Sequence, residues 1–321
     1  MSRERYALIT VDTEAQPKRA AQNHVEHLIW GKHENGTAGI REMCAAVGEL
    51  GSRLVFFVDS CGVYLHGEPF AEAVRWLVHS GHDVQLHTHS EFLPDSFWLK
   101  NGFAARPHML NEYDEGRSAF TIRYFSEYLA RITGKPITAF RAGSFRWNVG
   151  TLRAQGELGI SLSFNNSMRA LLDGVCPHAE ATNHPFVWSN GVIEVPITER
   201  RFPTFGDDVW WGRLAFPSSQ RYRDPPWRVL WPYTLGRDIQ VLVVLLHSWS
   251  LLYWDENGYA VYRDDKRHED FRKLVRRLAK DYDIITTEDF LDLHAHGKIV
   301  TTHTVDVSRA EMKPSLGKKK A

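Results

Sequence analysis

The chain has 321 residues, 43% of them apolar, with 39 basic and 39 acidic side chains. That balance excludes a net field for steering nucleic acid or an anionic membrane, while the apolar share is enough for a sizeable core. Its three cysteines, Cys44, Cys61 and Cys176, are odd in number and far apart, which excludes zinc-finger spacing and argues against a disulfide framework.

The N-terminus runs straight into a short apolar strand, Tyr6–Val11, without a leader-like apolar region. No apolar run reaches the length of a membrane span. A cytoplasmic protein with no membrane span and no nucleic-acid partner is expected. After Tyr6–Val11 the pattern predicts a helix near Ile40–Leu50, a strand Arg53–Val58 and a helix near Phe70–His79. A strand Asp83–His87 and a long helix near Ser118–Ile132 come next. Ile137–Phe140 precedes a helix near Val149–Leu158. Ile160–Phe164 and Val192–Ile197 read as further strands. Ile239–Leu246 (IQVLVVLL) is the most apolar run, followed by a helix near His268–Ala279 and a strand Asp283–Thr286. Continuous apolar strands between helices indicate a parallel sheet covered on both faces. Over this length they favour a β/α barrel, with a doubly wound open sheet as the alternative. Glu91–Glu115 and Pro203–Arg237 break the alternation and read as long functional loops. Residues 1–300 are expected to form one domain and 301–321 a C-terminal extension ending in a solvated lysine-rich tail.

Ionisable residues collect where the strands end, and strand ends in a parallel barrel converge on one mouth. Asp12 and Glu14 close the first strand, two apart and so on one side of extended chain. One can hold a metal while the other serves as a base; a solvated strand end is the plainer reading. His87-Thr88-His89-Ser90-Glu91 (HTHSE) offers imidazole and carboxylate, which suit a divalent transition metal. A helical turn after His87 would pair it with Glu91; an extended backbone would favour His89. Arg141-Ala142-Gly143-Ser144-Phe145 (RAGSF) has small residues that leave amides able to donate to an oxyanion, and an arginine able to hold a carboxylate ionised. His247 ends the most apolar run and is a candidate general acid, or a hydrogen-bonded core histidine. Trp147, Trp210, Trp211, Trp249 and Trp254 are candidates for stacking on a sugar, although packing alone explains any one of them.

VDTE, GHDVQLHTHSEF, FRAGSFRWN and LLHSWSLL occur in the order of the motifs of polysaccharide deacetylases. The chain resembles this NodB-homology group, carbohydrate esterase family 4, over nearly its whole length. The wording is nearest to a subgroup among lipopolysaccharide and O-antigen biosynthesis proteins. The resemblance implies an α/β fold, a distorted (β/α)7 barrel. It implies a metal-dependent hydrolase that removes an N-acetyl group from an amino sugar or saccharide. By motif position, Asp12 falls on the catalytic base and Arg141 on the arginine that supports it. Ser144 falls on the residue whose amide helps form the oxyanion hole, and His247 on the histidine that protonates the leaving amine. Glu14 and His87 fall on metal ligands, and Glu91 on the third, with His89 as the alternative. The family usually has aspartate where Glu14 stands, a second histidine where Glu91 stands, and proline plus an aromatic after the arginine. Zinc is the expected ion, with manganese, iron or cobalt also compatible with a Glu/His/Glu set. An amidase on a small non-sugar amide and an inactive carbohydrate-binding scaffold are the competing functions.

Overall fold

The computed structural model describes residues 4–203, 209–216, 239–264 and 266–311. Most of the expected loop Pro203–Arg237, the side chain of Trp210 and the tail Lys313–Ala321 lie outside the described residues. The chain divides into two compact units, Met1–Gln85 with Leu214–Ile299, and Leu86–Arg213 with Val300–Ala321. Among the described residues no helix is long and apolar enough to cross a membrane.

In the first unit, Tyr6–Thr13 is buried along all eight residues. It runs parallel to Val241–His247 on one side and to Val55–Asp59 on the other. Asp283–Ile284 also pairs with its start. The runs YALITVDT and VLVVLLH lack alternation because these strands are buried on both faces. The described helices of this unit are His24–Leu28, Ile40–Gly48, Ser60–His66, Glu68–His79, Lys266–Asp281 and Thr287–Ala295. Leu8, Val11, Phe56, Phe57, Leu242 and Val244 form its core, each contributing about 1.5–3 kcal/mol by burial.

The strand Asp83–Thr88 begins in the first unit and ends in the second. Its second half pairs in parallel with Ala139–Ala142, which pairs with Leu162–Ser163 and that in turn with Ile193–Glu194. Phe186–Trp188 then adds antiparallel, and Thr304–Val305 pairs with it in parallel. The last two strands are too short to show periodicity and carry no sequence signal. The long helix Glu115–Thr133 starts three residues before the expected Ser118, because Asp114 caps it, accepting from the Arg117 amide at 2.7 Å. Gly134, at φ 68°, ends it. The helix Val149–Leu158 forms as the pattern predicts, capped by Asn148.

One buried histidine links this framework to pH. His82 accepts from the Leu54 amide through Nδ1 at 3.1 Å. Burial, with Arg53 nearby as the lesser cause, pushes its pKa down from 6.5 to about 4. Below pH 6.5 the unfolded chain takes a proton that the folded chain refuses. Stability therefore falls as pH drops from 6.5 towards 4 and is insensitive to this group below that. We expect a loss of about 1 kcal/mol between pH 7 and 5 after allowance for partial exposure. His82→Gln, which can still accept from Leu54, should flatten that part of the slope in thermal melts. An unchanged slope would remove His82 as its source.

Candidate metal and catalytic site

In the first unit the parallel register carries Tyr6↔Val241 through to Asp12↔His247. Asp12 and His247 thus sit side by side at the ends of neighbouring strands. The ladder continues past them: the Ser248 amide donates to the Asp12 carbonyl at 2.9 Å. The Ser248 hydroxyl then brackets Glu14, accepting from its amide and donating to its carbonyl, both at 3.4 Å. The Gln16 side-chain amide donates to the Glu14 carboxylate. The His247 amide donates to the Ser250 hydroxyl at 2.8 Å, and its ring stacks on Trp249 with centroids 4.9 Å apart. Asp12 and Glu14 are almost fully buried. One ligand atom from each of Asp12, Glu14 and His247 lies within 4.8 Å of the other two.

Two buried carboxylates this close repel one another and have lost most of their water. A divalent cation relieves both penalties, so the donor set fits such an ion. Carboxylate oxygens with an imidazole nitrogen suit zinc, manganese, iron or cobalt.

In the second unit His87 is buried, and its Nδ1 donates to the Arg141 carbonyl at 2.7 Å. A carbonyl only accepts, so the neutral ring has its lone pair on Nε2. The strand does not stop at His87. Ladder pairs His87↔Arg141 and Thr88↔Ala142 hold the backbone extended, and a single 3-10 turn, Ser90–Phe92, follows. The helical turn expected directly after His87 does not form, because those ladder bonds win. His89 is buried, its ring centroid 5.0 Å from that of His87, and its Nδ1 lies 2.7 Å from a Glu91 oxygen.

Arg141 is fully buried. The Ala142 amide after it donates to the Asn165 side chain at 2.8 Å. The turn Gly143–Phe145 has Ser144 at φ 52° and Phe145 at φ 57°, both left-handed without being glycine. Each costs about 1–2 kcal/mol, and such strain collects where a backbone is aimed for a purpose. Phe145 is pinned under the Arg213 guanidinium at 4.3 Å, and Arg213 is paired to Glu199 at 3.1 Å. Ser144 itself is exposed.

Sequence reasoning missed the supports: Gln16, Ser248, Asn165 and the buried Glu194, which accepts from the Asn165 and Asn166 amides and from Trp188. Burial pushes the Glu194 carboxyl pKa up. The doublet Asn165-Asn166 just after a strand was the available signal. Of the tryptophans, Trp147 is buried against Trp188, and Trp249 is buried under His247. Trp211 and Trp254 stay half-buried, the latter under Arg19 at 3.8 Å.

No family model matches the chain, and no curated protein matches it by sequence. Solved structures do match. One is a candidate polysaccharide deacetylase from Mycobacterium smegmatis, 14% identical, covering 94% of this chain and 93% of that one, with a TM-score of 0.60. A 4-alpha-glucanotransferase from Thermococcus litoralis is 13% identical, covering 94% of this chain and 42% of that one, with a TM-score of 0.54. A family 4 carbohydrate esterase pseudoenzyme from Bacillus anthracis is 9% identical, covering 91% and 67%, with a TM-score of 0.48. Identities this low speak to architecture, and one architecture hosts several chemistries. The chain has the α/β fold of the polysaccharide deacetylases, the fold that its motifs imply.

Proposed function

We propose that this chain is a metal-dependent hydrolase that removes the N-acetyl group from an amino sugar or saccharide, in the making of a surface polysaccharide. The observation that carries the reading is the convergence of the buried Asp12 and Glu14 with the half-buried His247 at neighbouring strand ends. The fold and the four motifs support it.

By motif position Glu14 and His87 would hold the ion, with a third ligand from the His89–Glu91 turn. When bound, a divalent ion, zinc by preference, would supply polarisation of the amide carbonyl and of the attacking water. Asp12 takes the proton from that water as its oxygen attacks the acetyl carbon. Arg141, by its motif position, is the residue that supports this base. The left-handed turn at Ser144 offers an amide to the developing oxyanion. His247 gives its proton to the nitrogen as the C–N bond breaks. Acetate and a free amino sugar leave. The stack on Trp249 limits how far that ring can turn away.

The test is acetate release by metal-reconstituted protein from a panel of N-acetyl sugars, nucleotide sugars and small non-sugar amides. Acetate from a sugar and none from the small amides is expected. Turnover of the small amides alone would make the protein an amidase. Tight sugar binding without acetate would make it a binding scaffold.

A further inference from the structure

The proposed reaction leaves open which residue of the His89–Glu91 turn joins His87. His87 and His89 stand two apart on backbone that stays extended through Thr88. Their rings are adjacent, 5.0 Å between centroids and 76° between planes. Each ring has its Nδ1 on an oxygen, the Arg141 carbonyl for His87 and the Glu91 carboxylate for His89, both at 2.7 Å. Carbonyl and carboxylate oxygens can only accept, so both neutral rings are Nδ1–H tautomers with the lone pair on Nε2. That is the arrangement of a metal-ligating histidine whose other nitrogen is held by an outer oxygen. The His89 side chain is 2% exposed and the Glu91 side chain 16%, so the carboxylate is the outer member of the pair.

A second feature points the same way. A Cβ added to Gly143 would lie 2.7 Å from the His89 Nδ1 and 2.4 Å from the Thr88 carbonyl oxygen. Glycine there leaves room for both the Thr88 carbonyl and the His89 ring. Two departures from the family pattern, a carboxylate at 91 and glycine at 143, thus both border the His89 ring. A ring at 89 takes space that a side chain at 143 would need, and the carboxylate at 91 holds that ring.

We propose that His89 is the metal ligand beside His87, and that Glu91 is a positioning residue that orients the His89 ring through Nδ1. This rests on the metal-dependent reading above, but it concerns binding of the ion and not turnover.

The test is zinc affinity by competition with a chromogenic chelator, with circular dichroism to check the fold of each variant. His89→Ala should weaken zinc binding about 100-fold or more, and Glu91→Ala about 10–100-fold. Glu91→Gln can still accept from Nδ1–H and should keep most of the affinity. His89→Ala with Glu91→Ala together should bind no worse than His89→Ala alone, because Glu91 acts through the ring. If Glu91→Ala costs as much in the His89→Ala background as in wild type, Glu91 contacts the ion itself and the assignment is overturned. Full affinity in His89→Ala overturns it too. Metal-free wild type gives a second readout should a variant fail to fold: long-range proton–nitrogen NMR should show His89 as the Nδ1–H tautomer, and the Nε2–H tautomer would overturn the proposal. Zinc affinities as expected with no acetate from any sugar would leave this assignment standing and remove the reaction. Acetate release with His89→Ala at full affinity would do the reverse.

Discussion

Asp12→Asn should keep its metal and lower kcat by about 10³-fold or more. A positioned general base contributes about 10²–10⁴-fold, and placement of the water adds to that. Asparagine has the size of the aspartate and can still hydrogen-bond, but it cannot take the proton. The strand should tolerate the change, because residue 12 is held there by its backbone, through the Ser248 amide and the ladder to His247. Turnover of the reconstituted variant and its metal content, measured together, decide the matter. The group Asp12, Glu14 and His247 also admits another division of labour, in which Asp12 ligates and Glu14 is the base. Release of metal by Asp12→Asn with retention by Glu14→Gln would establish that reversal.

The second large effect is expected at His87. His87→Ala should abolish stoichiometric zinc binding, a loss of affinity of at least about 10³-fold, while the fold survives. Truncation leaves the buried Arg141 carbonyl without the imidazole N–H that donates to it, which costs about 1–3 kcal/mol. The ladder pair His87↔Arg141 is made by backbone and remains. Equilibrium dialysis with elemental analysis should give about one zinc per wild-type chain and none per variant, with thermal melts reporting the smaller loss of stability. Wild type without zinc after reconstitution would end the metal-dependent reading.

Strands that bury both faces were legible because short, β-branched apolar runs alternate with longer helical patterns along the chain. Tyr6–Val11 and Ile239–Leu246 mark two neighbouring strands of the first unit, although each strand runs on past the apolar residues to Thr13 and His247. Those extra residues are the polar ones, Asp12 and His247, where hydropathy fails and only the ladder tells. The same blindness affected the segment after His87. Thr-His-Ser-Glu has no alternation, yet backbone pairing to Arg141 and Ala142 keeps its start extended. Phe186–Trp188 and Thr304–Val305 are set by tertiary pairing alone. The left-handed pair Ser144–Phe145 was illegible because neither residue favours that conformation; the surrounding packing imposes it. The strand-end positions of Asp12, Glu14, His87 and His247 could be read, whereas the partners that orient them, Gln16, Ser248 and Asn165, could not. A side-chain hydrogen bond over a long stretch of chain leaves no local pattern.

The seven-pair register between Tyr6–Thr13 and Val241–His247 bears on how such a protein can diversify. Residues 12 and 247 are fixed to each other by consecutive backbone pairs, not by the length of chain that joins them. Insertions or deletions between the strands leave the spacing of the two side chains untouched. A slip of one residue within either strand would turn its side chains to the opposite face and separate the pair. Loops between the two strands can therefore lengthen or shorten to meet new saccharides without parting residues 12 and 247, while the two strands tolerate no indel at all.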